Sequence, residues 1–132
     1  MASRSQDSLP KTVYEAIEGM APRLNPDEAG DLQATIQFNV SPSPSLKTGG
    51  DYYLSIADGK CDFSTGTSPD PTLTISTPAD VWLKIARKEM SGPIALMTGK
   101  YVARGRISLL MKMNKLFSGQ PPEVELAEKG WR

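Results

Sequence analysis

LTISTPADVWLKIARKEMSGPIALMTGKYVARGRISLLMKMNKLF, residues 73–117, sets a strand, a capped helix, a second strand and a methionine-rich helix in succession with almost no linker. Thr77, Pro78 and Asp80 read as a helix start. Thr77 can cap the free backbone amides, Pro78 suits the first helical position, and Asp80, three residues after the cap, can bond back. The helix is therefore expected to begin at about residue 78. From there Val81, Trp82, Ile85 and Ala86 fall on one side and Lys84, Arg87 and Lys88 on another, as in an amphipathic helix that covers an apolar layer. Ser91, Gly92 and Pro93 mark its end, so it is expected over about 78–90.

The last element of the stretch, about 108–117, repeats this logic with a wider apolar arc. At about 100° per residue Leu109, Leu110, Met113, Leu116 and Phe117 cluster opposite a narrow stripe of Ser108, Lys112 and Lys115. Four of the six methionines, Met90, Met97, Met111 and Met113, lie in residues 73–117. Unbranched thioethers adapt to irregular or changeable apolar shapes, so two readings stand: core filler, or the wall of a space that accepts a guest.

The segment TGKYVARGRISLLMKMNKLF, residues 98–117, resembles the C-terminal signature of sterol carrier protein type 2 domains: a Gly-Lys, a short alternating strand, a Gly and an apolar helix containing Met-Lys, in that order. Upstream, TISTPADVWLKI resembles that family's strand followed by a capped helix bearing an aromatic, here Trp82. The resemblance is close over Thr72 to Phe117 and extends to the rest only through the order of elements. It implies an α/β (α+β) fold, a five-stranded, mostly antiparallel twisted sheet covered on one face by helices. It also implies an apolar tunnel for fatty acids, acyl-CoAs, sterols, isoprenoids or other lipids.

Outward from that stretch, the first half reads as scaffold. Val13, Ala16, Ile17 and Met20 keep helical spacing behind a capping box from Thr12 to Glu15, and Asn25 and Pro26 mark the exit of a helix over about 11–22. Leu32, Ala34, Ile36, Phe38 and Val40 alternate with Gln33, Thr35, Gln37 and Asn39, a strand whose polar face should see water. SPSPSLKTGG, residues 41–50, has the composition of a solvated loop. Asp51 to Ala57 and Lys60 to Thr65 form two strands joined by a two-residue turn, Asp58-Gly59. Leu73 and Ile75 supply the fourth strand and Tyr101 to Ile107 the fifth. In the tail, Pro121 and Pro122 block continuation of the last helix, and Glu123, Glu125 and Glu128 precede Trp131.

With 132 residues, 39% of them hydrophobic, the chain can bury one modest core. A single domain, 1–132, is expected, with its core at about 9–117 and a tail over 118–132. No stretch approaches the roughly 20 apolar residues that span a bilayer. The start, MASRSQDSLPKT, carries no signal-peptide core, Cys61 is the single cysteine, and the final Gly-Trp-Arg is not a Ser-Lys-Leu peroxisomal address. These features point to a reducing cytoplasm and a bacterial-type, stand-alone member.

Net charge is zero but uneven: residues 78–117 hold eight basic residues against Asp80 and Glu89, a net +6. A basic face including Lys84, Arg87, Lys88, Lys112 and Lys115 could meet anionic lipid headgroups or the phosphates of an acyl-CoA. Alternatively these are the wet faces of two helices and a strand. No basic-aromatic stacking motif accompanies the charge, which argues against nucleic acid.

The chain has no histidine, which removes the commonest general base, nucleophile activator and metal ligand. Cys61 beside Asp62 in a strand reads as a structural thiol. Gly99-Lys100 lacks the glycine and hydroxyl partners of a phosphate-cradling loop. The expectation is therefore a non-catalytic module without metal or cofactor, enclosing an apolar ligand between the sheet and the helices at 78–90 and 108–117. The residues expected to line that space, each on the inward face of its element, are Phe38, Leu54, Trp82, Ile85, Leu96, Met97, Tyr101, Ala103, Ile107, Leu110, Met113 and Phe117. Competing readings are an accessory factor in lipid or quinone biosynthesis, an interaction module with a solid core, and an enzyme using Lys, Asp or Tyr alone.

Overall fold

Asp58 and Gly59, at φ 55° and 72°, both take the left-handed conformation that a type I′ turn demands, and so join β2 (Gly50–Ala57) to β3 (Lys60–Thr65) as a tight hairpin. That hairpin forms one side of a five-stranded sheet in a computed structural model that describes residues 10–42 and 49–118. The sheet order is β3-β2-β1-β4-β5, with β1 at Ala34–Ser41, β4 at Leu73–Pro78 and β5 at Val102–Gly105. Three pairings are antiparallel and the central one, β1 with β4, is parallel, so the sheet is mixed.

Register decides which side chains share a face, because paired residues point the same way and neighbours along a strand point oppositely. One row runs Phe63, Leu54, Ile36, Leu73 and the next Tyr52, Phe38, Ile75, Ala103. These rows form an inner, apolar face. Over it lie α1 (Val13–Glu18), α2 (Pro26–Ala29), α3 (Ala79–Ala86), α4 (Gly92–Met97) and α5 (Ile107–Leu116). The expected α+β architecture, a sheet with helices on one face, is thus present.

The capping box at the first helix forms: Thr12 Oγ1 accepts from Glu15 N–H at 3.1 Å. The helix itself is shorter than 11–22. It stops at Glu18, a 3-10 turn follows at Ala21–Arg23, and Asn25 starts α2 instead of closing α1, its Oδ1 accepting from Asp27 N–H at 3.0 Å.

Two further expectations are corrected. Thr77 does not cap α3. Its ladder with β1 continues through the pair Ser41 and Pro78, so Thr77 stays extended, as a residue before proline prefers, and its buried hydroxyl donates to Pro78 O at 3.0 Å. Pro78 itself, at ψ 149°, is the cap residue. The helix also ends at Ala86, not near 90. Lys88 N–H bonds Ile85 O and Glu89 N–H bonds Lys84 O, a Schellman closure with Lys88 at φ 65°. The released chain then starts α4, where Ser91 Oγ accepts from Ile94 N–H at 3.3 Å and Pro93 sits in the first turn.

The outer face of β1 does not simply see water. Residues 66–72 must carry the chain from β3 past β2 and β1 to β4, a lateral distance of about 14 Å at strand spacing, well within the reach of seven residues. This crossover lies on the outer face and covers Gln37, which is 1% exposed. Gln37 Oε1 accepts from Ser68 N–H at 2.7 Å, while its Nε2 donates to Gly66 O at 3.1 Å and Tyr52 O at 3.2 Å. A buried amide is tolerated because both its ends are bonded. The expected solvated loop at 41–50 mostly, and the tail beyond 118, fall outside the described residues.

Candidate functional site

The inner face is built around a chain of aromatic rings. Phe38, at the centre of the sheet, meets Trp82 of α3 with ring centroids 5.1 Å apart, and Trp82 meets Tyr101 edge-on at 5.8 Å. Tyr101 in turn donates its hydroxyl to Gly92 O at 3.2 Å, so sheet, α3, the start of β5 and α4 are tied through one continuous contact line. Edge-on and tilted ring pairs of this kind add to simple apolar burial. The local causes are visible: α3 turns Trp82 down because Ala79, one turn earlier and fully buried, lets the helix approach the sheet closely.

The sequence-chosen residues divide into three groups. Phe38, Leu54, Trp82, Tyr101, Met113 and Phe117 are buried within one apolar cluster. Ile85, Leu96, Ala103 and Leu110 are half-buried and pack against it. Met97, at 84% exposed, and Ile107, at 41%, do not point inward. For Met97 the reason is α4, which the sequence reading did not contain: Ala95 is the buried residue of that helix, placing Met97 on its far side. For Ile107 the reason is that β5 ends at Gly105, so Ile107 opens α5 instead of continuing the alternation of a strand.

Ile85, Leu96, Ala103 and Leu110 come from α3, α4, β5 and α5 respectively, and all four keep part of their surface in solvent. A second aromatic group was missed by sequence reading. Tyr14 of α1 meets Phe63 at 5.2 Å and Tyr52 at 5.7 Å, edge-on in both cases. The hairpin register would have found two of its members, since Tyr52 and Phe63 alternate in phase with Leu54 and Cys61.

Chemically reactive groups are few. Burial, with a smaller contribution from the Asp62 carboxylate, pushes the Cys61 thiol up to about 12, which keeps it neutral and unreactive near neutral pH. Burial also raises Tyr101 above the usual phenol range. Among the described residues no cluster of Cys, Asp or Glu is placed to hold a metal ion, and no helix is long and apolar enough to cross a membrane. The basic residues separate as well. Lys84, Lys88, Lys112 and Lys115 are exposed, whereas Arg87 donates to Pro10 O at 2.8 Å and pairs with Glu89 at 2.8 Å.

The arrangement matches known proteins. The family model described as the SCP-2 sterol transfer family matches residues 15–118. The hydroxysteroid dehydrogenase-like protein 2 of Xenopus tropicalis is 27% identical over 116 residues, which cover 86% of this chain and 26% of that protein. Among solved structures, the palmitated sterol carrier protein 2 like 2 of Aedes aegypti gives a TM-score of 0.61 at 20% identity, covering 80% of this chain and 90% of that one. The stereoselective inverting sec-alkylsulfatase of Pseudomonas sp. also gives 0.61, at 22% identity over 74% of this chain and 15% of its own. The chain therefore spans about a quarter of the curated relative and a smaller part of the sulfatase.

Proposed function

The chain belongs to the SCP-2 sterol transfer family, and from that premise we propose that it binds and transfers a lipid without catalysing a reaction on it. The observation that supports the reading is an apolar layer left partly uncovered: Ile85, Leu96, Ala103 and Leu110 keep part of their surface in solvent and pack against a core cluster that includes Phe38, Leu54, Trp82, Tyr101, Met113 and Phe117. We assign these ten residues as the lining of an apolar cavity. The lipid-binding unit is the single domain whose core runs over about 9–117.

Energetics fit a fatty acid, acyl-CoA, sterol or isoprenoid lipid. A dozen methylenes leaving water yield roughly 10 kcal/mol at about 0.8 kcal/mol each, against about 4–15 kcal/mol lost on association. At the smallest association cost about 6 kcal/mol remains, a Kd of some tens of micromolar, with loose selectivity from a wall that contains methionine. The absence of histidine from the chain and the neutral state of Cys61 support a carrier over an enzyme. Exposed Lys84, Lys88, Lys112 and Lys115 suit transient contact with an anionic surface. An unpaired cysteine thiol suits a cytoplasmic setting.

A second reading, an accessory module serving a lipid-handling enzyme, is favoured by one finding: a chain of similar sequence forms about a quarter of a dehydrogenase-like protein. The two readings separate on exchange. Native mass spectrometry of freshly purified protein should show co-purified lipid, and delipidated protein should bind a fluorescent fatty acid that palmitate displaces. Met113→Trp, which enlarges a buried wall residue, should weaken that binding at least tenfold while the protein stays folded. A clean apo mass together with no fatty-acid binding would overturn the carrier reading.

A further inference from the structure

The wall assigned to the lipid is closed to solvent: Phe38 and Leu54 are 0% exposed, and Trp82, Tyr101, Met113 and Phe117 are buried. A guest of a dozen methylenes reaches it only if an element above the sheet moves aside. Most of those elements are pinned. α1 buries Val13, Ala16 and Ile17. α3 buries Ala79 and Trp82, and just past its end Arg87 donates to Pro10 O at 2.8 Å. α5 buries Leu109, Met113 and Leu116, and Asn25 N–H at the head of α2 bonds Leu116 O at 2.7 Å, so α2 and α5 hold each other.

α4 is the exception. It buries Ala95 alone, while Leu96 and, ahead of the helix, Met90 are half-buried. Its hydrogen bonds close on the segment itself. Ala95 N–H bonds Ser91 O, Thr98 N–H bonds Ile94 O, Gly99 N–H bonds Leu96 O and Lys100 N–H bonds Ala95 O, all between 2.8 and 3.1 Å. The Thr98 hydroxyl likewise donates to Ile94 O at 2.8 Å. Among the described residues a single hydrogen bond ties residues 90–100 to anything outside them, the Tyr101 hydroxyl donating to Gly92 O at 3.2 Å. A segment that keeps its own hydrogen bonds and buries little apolar surface can open without orphaning polar groups, so local opening costs least there. Left-handed residues stand near both ends, Lys88 at φ 65° just after the Arg87 anchor and Gly99 at φ 75° just before β5. Positions at the ends of elements are where hinges absorb dihedral change.

What α4 covers belongs to the proposed wall. A Cβ added at Gly92 would stand 3.6 Å from Ile85 Cγ2 of α3, and Gly92 O holds Tyr101, whose ring meets Trp82 edge-on. We propose that residues 88–100 form a hinged cover whose opening admits the lipid, with Lys88 and Gly99 as hinges and the Tyr101 hydroxyl as the latch on Gly92. This rests on the carrier reading and adds the moving part that a closed wall requires.

Two measurements on the full chain test it. In hydrogen exchange of the lipid-free native protein, the amides of Ala95, Thr98, Gly99 and Lys100 should exchange together, about a hundredfold or more faster than the paired amides of β1 and β4. Tyr101→Phe, which removes only the latch, should speed those four roughly fivefold and leave β1 unchanged. The second measurement locks the cover. Ile85→Cys with Gly92→Cys, in a Cys61→Ala background, places two thiols within reach of a disulfide. Stopped-flow uptake of a fluorescent fatty acid should be at least tenfold slower in the oxidised form than in the same variant reduced with dithiothreitol, so any loss from the substitutions themselves cancels. Equal uptake by the two forms overturns the proposal, as does exchange of the α4 amides as slow as that of β1. A native protein that binds no fatty acid sinks the carrier reading instead, and the exchange pattern alone then decides whether 88–100 opens.

Discussion

Replacing Gln37 with leucine keeps the volume of a side chain buried between β1 and the crossover and removes both of its bonded ends. Ser68 N–H then loses its 2.7 Å acceptor, and Gly66 O and Tyr52 O lose the Nε2 donor that reaches them at 3.1 and 3.2 Å. An orphaned buried donor or acceptor costs about 1–3 kcal/mol, while the added apolar burial of leucine returns about 1–2 kcal/mol. The net expectation is a loss of about 3 kcal/mol, roughly a 10 °C fall in Tm for a domain of this size. Urea unfolding followed by circular dichroism measures it, and fatty-acid binding by the folded fraction should be unchanged, because Gln37 faces away from the apolar layer. Gln37→Glu sharpens the test. It keeps an acceptor for Ser68 but sets a buried carboxylate against carbonyl oxygens, so it should be worse than leucine at pH 7 and recover towards pH 4 as the group takes up a proton. A leucine variant within about 0.5 kcal/mol of native would refute the view that this amide anchors the crossover.

Lys88 at φ 65° closes α3 in the role that Gly99, at φ 75°, fills for α4, so Lys88→Gly should raise stability by about 1 kcal/mol and Gly99→Ala should lower it by a similar amount, both read by thermal melting. With its pKa raised from 9.0 to about 12, Cys61 in the folded protein should react with iodoacetamide at pH 8 about a thousandfold more slowly than in urea, and an equal rate would show the thiol to be open. The same shift makes stability depend on alkaline pH. Below about 9 the thiol is neutral in both states. Between about 9 and 12 only the unfolded chain ionises, so stability should fall as pH rises through that window, less steeply in Cys61→Ala.

Local chemistry was readable from neighbouring residues alone. Strict alternation from Ala34 to Val40 placed the central strand and its inward face, Asp58-Gly59 specified the hairpin to the residue, and Thr12 with Glu15 specified a helix start, because each depends on backbone dihedrals and hydrogen bonds spanning no more than four positions. Residues 98–117 likewise carried enough local pattern to indicate the family. Where the reading missed, a distant segment or a competing local bond decided. Thr77 was drawn away from capping by the β1 ladder, α4 arose where Ser91 began a helix instead of ending one, and Met97 was carried outward with it. Gln37 became buried only because the chain between β3 and β4 had to cross the sheet. Periodicity tells which side chains share a face. What comes to lie on that face is set by strand order and crossovers, whose contacts join residues far apart in the chain and leave no mark on either partner's immediate neighbours.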